Sequence, residues 1–452
     1  MEKVTASPVK TLQAHSLDTA DYAATFLLDN HRRARIVAFL YASRRAIVRS
    51  LPALPLSSVC LKQQITTSME EIVGFHVELT ESHMSNTTVA DLFNVPSHNP
   101  SFFSVKESAV YKGPLLDFCI PVNLHFPPPQ MVQRISERLP EILRYYPDYA
   151  EVHAKHIAEI AGVPSECIVP ANGSTEIITR LCHLTRGPIL TPIPTFSRWT
   201  DLPNELGIPL HTIKHDVRRD FRLEVAELIS RAKELNVRML VISNPNNPTG
   251  AWFEPGEIEE LVLSLPQVEL IVIDESFLDF ADLESAMNLI PRAENLVVVK
   301  SLGKSLGWHG VRLGYAAMNS VAADRLRSQL PFWNVNGLAA FILKSISEFK
   351  DEFRQSLTLV AQDREYMLSQ LERIPGLRVF PSKANFLYVE LPSDVPGRKL
   401  RDRLLEHYGL MVRECSNKIG SSERYLRLAV QTREAVDLLA HALQNLLGNQ
   451  YL

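Results

Sequence analysis

The sequence predicts an α/β protein of three layers. A mostly parallel sheet with helices on both faces forms a large domain, followed by a smaller α+β C-terminal domain and preceded by a helical extension. Two observations carry this reading. Short β-branched runs alternate with helical patterns through the middle of the chain. Those runs are continuously apolar, as strands buried on both faces are, rather than alternating. At 452 residues the chain is too long for one core. Its 46% hydrophobic and 22% charged residues are the balance of a globular protein.

The extension covers residues 1–110. Ser16–Arg49 reads as a helix, capped by Ser16 or Asp18, with Phe26, Leu27, Leu28, Ile36, Phe39 and Leu40 supplying apolar faces. Its arginines (Arg32, Arg33, Arg35, Arg44, Arg45, Arg49) belong to an extension that has about as many acids as bases. A solvated or dimer-facing helix is therefore expected rather than a nucleic-acid patch. Leu51–Ser58 breaks the pattern, and Asn94–Ser104 reads as a linker. The extension is expected to pack against the large domain or across a dimer, in a structural or substrate-gating role.

From Tyr111 the rhythm of strands and helices begins. Pro188–Pro192, Arg238–Ser243, Glu269–Asp274 and Asn295–Ser301 are the strand runs, each ending at polar, Gly or Pro residues. In such sheets the functional groups gather at the carboxyl ends of the strands. A long helical stretch, Gly337–Leu371, leads to strands around Leu377–Phe380, Asn385–Leu391, Gly409–Glu414 and Tyr425–Val430, and a helix over Arg433–Leu447 closes the chain.

Bulk properties remove several function classes. A net charge of -4 gives no general attraction to nucleic acid or anionic membrane. No apolar run is long enough to span a bilayer, and the first residues have no apolar leader core. The five cysteines, Cys60, Cys119, Cys167, Cys182 and Cys415, are scattered and form no C-x-x-C pair. They read as reduced thiols of a cytoplasmic protein, with no metal site.

Four segments carry chemistry. In Lys300–Tyr315, Lys304 follows a buried strand and a Gly-containing turn, and Arg312 lies eight residues on. A lysine in such a cleft can condense with an aldehyde cofactor once burial lowers its pKa. Ser301 and Arg312 are placed to meet a cofactor phosphate, the arginine through two parallel bonds. Ser243–Gly250 is a rigid Asn-Pro turn able to aim an amide inward. In Ile273–Phe277, Asp274 can pair with a protonated pyridine nitrogen and maintain an electron sink. In Pro170–Ile178, Gly173, Ser174 and Thr175 open a helix whose dipole favours a phosphate. Taken singly, these are a surface lysine, a loop, a helix cap and an N-cap.

Together, in this order, the four segments resemble the fold-type I enzymes of the aspartate aminotransferase superfamily, which depend on pyridoxal 5′-phosphate (PLP), from Leu115 to the C-terminal helix. Within it the chain looks like the histidinol-phosphate aminotransferase and threonine-phosphate decarboxylase branch. LDFCIPVN (Leu116–Asn123), RYYPD (Arg144–Asp148), SKANFLYV, MVRECSN and YLRLAVQTRE carry that likeness, and DESFLDF and RECSN lean toward the decarboxylase.

The resemblance implies roles by position. Lys304 matches the Schiff-base lysine that also moves the Cα proton, Asp274 the partner of the pyridine nitrogen, and Asn247 the amide on the ring hydroxyl. Phe196 matches the ring stacked on the pyridine, and Ser174, Thr175, Ser301 and Arg312 match the phosphate cup. Tyr146 matches a tyrosine reaching the phosphate from the other subunit of a homodimer. Arg427 matches the clamp on the substrate α-carboxylate, Arg413 is placed for a distal acidic group, and Asn123 lies near the substrate. The implied divisions are an arm over 111–150 shared with the small domain and dimer interface, a PLP-binding domain over 151–335, and a small domain over 336–452.

Three positions depart from the family pattern. Phe277 replaces a tyrosine, as in the decarboxylase-like relatives. Gly303 replaces the serine or threonine before the lysine, and Trp308-His309 stand where small or apolar residues are usual. His309 offers a local proton donor, although single histidines are more often satisfied scaffold residues.

The reaction expected first is aminotransferase chemistry on an amino acid. Decarboxylation of a phosphorylated or acidic amino acid is the alternative, with a specialised biosynthetic reaction through a quinonoid as a further one. A PLP-binding transcriptional regulator is set against these by the charge-balanced extension, which has no compact helix-turn-helix pattern.

Overall fold

The β-branched runs build one seven-stranded sheet. In the computed structural model, residues 88–93, 100–108, 110–185 and 187–448 are described, within one unit that begins at Thr87. The helix expected over Ser16–Arg49 lies outside the described residues. The arm opens on a short strand, β1 (Leu116–Asp117). The sheet then uses β2 (Ile168–Ala171), β3 (Ile189–Ile193), β4 (Leu210–Lys214), β5 (Met239–Ser243), β6 (Leu270–Asp274), β7 (Leu296–Lys300) and β8 (Gly314–Met318). Their order is β2-β8-β7-β6-β5-β3-β4. Only β8 runs against its neighbours, β2 and β7; the pairs β3–β4, β3–β5, β5–β6 and β6–β7 are parallel.

The continuous apolar runs follow from this placement. Leu240, Ile242, Ile271, Ile273 and Val298 pack into one core with Ile157, Leu228, Leu261 and Ile342. The intervening Met239, Val241, Val272, Val297 and Val299 pack into a second core with Ile177, Leu181 and Trp199. Both faces are covered, so these strands are apolar along their length up to the polar residues at their ends, Ser243, Asp274 and Lys300. Each fully buried aliphatic side chain contributes about 1.5–3 kcal/mol of transfer free energy.

The small domain is built from β9 (Arg378–Phe380), β10 (Phe386–Glu390), β11 (Leu410–Met411), β12 (Arg413–Glu414) and β13 (Tyr425–Ala429). Four of these form an antiparallel sheet in the order β12-β13-β10-β9. The run expected as one strand, Gly409–Glu414, divides at Val412, and β11 pairs in parallel with β1 of the arm. The long helical stretch is also divided, into helices Gly337–Ile346 and Lys350–Leu371 with a 3-10 turn at Ser347–Phe349.

The described part of the extension is placed differently from expectation. Helices Val89–Leu92 and Phe102–Glu107 pack Val89 and Val105 against Cys119, Leu405 and Met411. They cover the small domain rather than the large one. Ser101 caps the second helix, accepting from the Ser104 N–H at 3.0 Å, so the span read as linker already contains a helix start. No helix among the described residues is long and apolar enough to cross a membrane.

Candidate active site

Parallel strands β3, β5, β6 and β7 end on one side of the sheet. Phe196, Asn247, Asp274, Phe277 and Lys304 consequently border a single cleft, with Ser243 and Ser276 beside them. Lys304 Nζ lies 4.4 Å from the centre of the Phe277 ring. Burial brings the Lys304 pKa down to about 8; the Asp274 carboxylate opposes that shift, and the Arg427 and Arg312 charges add to it. The amine thus has a substantial neutral fraction near physiological pH, which a nucleophile or proton carrier needs.

Asp274, at the end of β6, is buried. Its Oδ2 accepts from Trp199 Nε1 at 2.8 Å, and its Oδ1 accepts from the Ser276 N–H at 3.1 Å. Trp199 is fully buried and was not singled out from the sequence; its only signal was a second aromatic three residues after Phe196. Trp199→Phe retains the packing and removes the donor. The expected result is roughly 10- to 150-fold weaker PLP binding in apoprotein titrations, since a hydrogen bond to a charged group contributes about 1.5–3 kcal/mol. An unchanged affinity would leave Trp199 with packing alone.

A second group of residues brings N–H, hydroxyl and guanidinium donors together. Helix Ser174–Leu184 starts from Gly173, whose φ is 76°, and presents its first N–H groups with Ser174 and Thr175. A methyl group at Gly173 would sit 2.7 Å from Arg312 Nη2. Glycine therefore lets the guanidinium lie across the helix end. Arg312 itself has φ 59°, a left-handed conformation that costs a side-chain-bearing residue about 1–3 kcal/mol and turns this arginine back toward Gly173. Ser301, buried, stands at the start of the short helix Leu302–Ser305 that carries Lys304.

Buried cations close the cleft from the small domain. Arg413 and Arg427 are directly opposite one another on β12 and β13. Arg427 Nη1 donates to Asn247 Oδ1 at 2.7 Å and Nη2 donates to the Cys119 carbonyl oxygen. Its Nε is buried with no hydrogen-bond partner among the described residues. Because a guanidinium only donates, the Asn247 amide is turned with its oxygen to Arg427 and its NH₂ left as a donor. Burial, reinforced by Arg413 and opposed by Cys415, pushes the Arg427 pKa down to about 10, which leaves it charged at neutral pH. Arg413 Nη2 donates to Asn417 Oδ1 at 2.9 Å.

Lys418 is a third cation that sequence reasoning missed, although it follows RECSN directly. Its Nζ donates to the Thr195 carbonyl oxygen at 3.0 Å and to Ser197 Oγ at 3.2 Å, on either side of Phe196. Burial, helped by Arg413 and Arg427, brings its pKa to about 7.

Two expected residues stand outside this arrangement. Asn123 is turned into the scaffold: its Nδ2 donates to the Ser305 carbonyl oxygen at 2.9 Å and to Ser356 Oγ at 2.8 Å, while its Oδ1 accepts from the His125 N–H at 3.0 Å. Its backbone N–H donates to the Lys304 carbonyl oxygen at 2.9 Å, so it holds the lysine segment rather than facing the cleft. Tyr146 lies on the surface, 81% exposed, and stacks on Trp333 at 4.7 Å.

The residues at the strand ends fit PLP. An amine with a lowered pKa, a carboxylate for a pyridine nitrogen, an amide donor, an aromatic wall and an anion receptor are its functional groups' counterparts. The fold and this site define a PLP-dependent enzyme. The chain belongs to the aminotransferase class I and II family, whose model matches residues 114–443.

Among its relatives is CMP-5′-(3-aminopropyl)phosphonate synthase of Streptomyces rubellomurinus, 30% identical over 79% of this chain. The match spans 57% of that relative, little more than half its length. L-serine phosphate decarboxylase of Campylobacter jejuni is 28% identical over 78% of this chain and 94% of its own. The solved structure of histidinol-phosphate aminotransferase from Clostridium acetobutylicum is similar with a TM-score of 0.68, 25% identity, and coverage of 74% of this chain and 100% of the other.

Proposed function

We propose that this chain removes the carboxylate of an α-amino acid that carries a second, distal anion, a phosphate or phosphonate. The observation that supports this most is the opposed pair Arg413 and Arg427 with Lys418 beside them. Arg413 and Arg427, opposite one another on adjacent strands and joined by the Lys418 amine, gather more positive charge than one carboxylate needs. The names of two relatives, a serine phosphate decarboxylase and a synthase of an aminopropylphosphonate, point to the same substrate class.

When bound, PLP supplies an electron sink joined to the substrate's Cα. In this reading Asp274, steadied by Trp199, holds a proton at the pyridine nitrogen, and the Asn247 NH₂ donates to the ring hydroxyl. Phe196 and Phe277 wall the ring and exclude water. The distal phosphate or phosphonate, with the larger charge, takes the cation cluster. With that anion held, the α-carboxylate would be the group free to leave as CO₂, its bonding electrons passing to the electron sink that PLP would supply. Lys304 delivers a proton to Cα afterwards.

Amino transfer is the second reading. It is favoured by the Lys304 pKa of about 8, which also suits a base that takes the Cα proton. Purified protein given O-phospho-L-serine, O-phospho-L-threonine or a phosphono-amino acid is expected to yield CO₂ and the corresponding amine. A keto acid with pyridoxamine phosphate would install the second reading, and turnover of amino acids without a distal anion at equal kcat/KM would overturn the substrate class.

We also place the enzyme in the cytoplasm as a homodimer with shared sites. The exposed Tyr146, Tyr149, Phe332 and Trp333 form an aromatic surface suited to burial against a second copy, and in this reading Tyr146 meets the neighbouring phosphate. Mixing Lys304→Ala and Tyr146→Ala chains is expected to give more activity than the two separately, through hybrid dimers with one intact site. Activity that merely sums, or an active monomer in sedimentation, would reject shared sites.

A further inference from the structure

Two of the departures from the family pattern meet in space. Gly303 stands where a serine or threonine is usual, and His309 lies on the turn that leads to Arg312. A methyl group at Gly303 would lie 3.2 Å from His309 Cα, 3.3 Å from the Trp308 carbonyl oxygen and 3.6 Å from His309 Nδ1. The first two are backbone atoms, so a side chain at 303 would have to push the turn outward. The His309 imidazole therefore borders the space that a hydroxyl-bearing residue would fill.

The neighbouring arginine sets the tautomer of this ring. Arg312 Nη1 lies 3.3 Å from His309 Nε2, and a guanidinium only donates. Nε2 is thus the acceptor, and the proton of the neutral ring sits on Nδ1. Burial, with the charges of Lys304, Arg312 and Arg427, pushes the ring's pKa down to about 3, so it stays neutral in the working range. Nδ1 is buried and has no hydrogen-bond partner among the described residues. Buried donors are rarely left without an acceptor.

We propose that His309 belongs to the phosphate cradle of the cofactor: its Nδ1–H donates to a phosphate oxygen in place of the hydroxyl missing at position 303, and Arg312 fixes the required tautomer. The remaining guanidinium donors of Arg312 still face the same anion. The histidine is then a neutral donor locked by its neighbour, not a proton shuttle. This rests on PLP occupying the site described above.

The test uses full-length apoprotein and two ligands, PLP and phosphate-free pyridoxal. His309→Phe fills similar space without a donor. It is expected to weaken PLP roughly 10- to 150-fold, the loss of one hydrogen bond to a charged group, and to leave pyridoxal unchanged. His309→Asn, which sets an amide donor near the Nδ1 position, is expected to recover most of the PLP affinity. In wild-type protein with ¹⁵N-labelled histidine, NMR is expected to find the His309 proton on Nδ1 and to see that signal move when PLP is added. Unchanged PLP affinity in His309→Phe, an equal loss for both ligands, or a proton on Nε2 each overturns the proposal. Failure of the wild type to bind either ligand overturns the cofactor assignment beneath it.

Discussion

Alanine at Lys304 is expected to lower turnover by about 10³–10⁴-fold or more. General acid–base transfer alone contributes about 10²–10⁴, and the nucleophilic amine is lost with it. The desolvated surroundings that bring this amine to about 8 also make a testable pH dependence. Only the neutral amine attacks an aldehyde, and an ordinary lysine is neutral only above about 10.4. Capture of PLP by apoprotein should therefore rise with pH and level off above about 8. Borohydride reduction of the loaded wild type is expected to leave the cofactor on the peptide containing Lys304, and a label on another lysine would remove this residue from the centre of the site.

Arg427→Ala is expected to cost about 2–5 kcal/mol of substrate or transition-state binding, the range for removing one member of a buried charge pair. That is roughly 30-fold to 5,000-fold in kcat/KM. Part of the loss comes from within the protein, because Asn247 Oδ1 and the Cys119 carbonyl oxygen lose their donor with the guanidinium. The visible band of the loaded protein should persist, since Lys304, Asp274 and Arg312 are untouched. Arg427→Lys should recover little, as a point charge cannot reproduce the planar fork. Arg413→Ala should weaken phosphorylated substrates and spare those without a distal anion. Wild-type kcat/KM in Arg427→Ala toward a phosphorylated amino acid would remove Arg427 from substrate recognition.

The central strands could be read from sequence because both of their faces are buried. β5, β6 and β7 are nearly pure Val, Ile, Leu and Met, so their continuous apolar runs stand out. β2, β4 and β8 did not stand out, each for a physical reason. β2 is an edge strand and contains Pro170, which edges tolerate. β4, the opposite edge, reads Leu-His-Thr-Ile-Lys, with only two apolar residues. β8 reads Gly-Tyr-Ala-Ala-Met, with small residues that give no β-branched signal.

The same division holds at the site. Lys304, Asp274, Asn247 and Gly173 sit in local motifs at strand ends, and short-range pattern is enough to find them. Trp199 reaches Asp274 across 75 positions and Lys418 reaches Thr195 across 223. No local pattern encodes such contacts. The scaffold bonds of Asn123 are of the same long-range kind: its partners Ser305 and Ser356 lie 182 and 233 positions away.

Arg413, Lys418 and Arg427 all fall within residues 413–427, while Lys304 and Asp274 belong to another part of the chain. In the proposed reading, recognition and bond-making are thus written on separate stretches of the gene. A change of diet, from one phosphorylated amino acid to another, can be drafted in a single short cassette without disturbing the machinery that breaks the bond. Grafting residues 413–427 into a family member of different preference is the direct way to see whether taste travels with them.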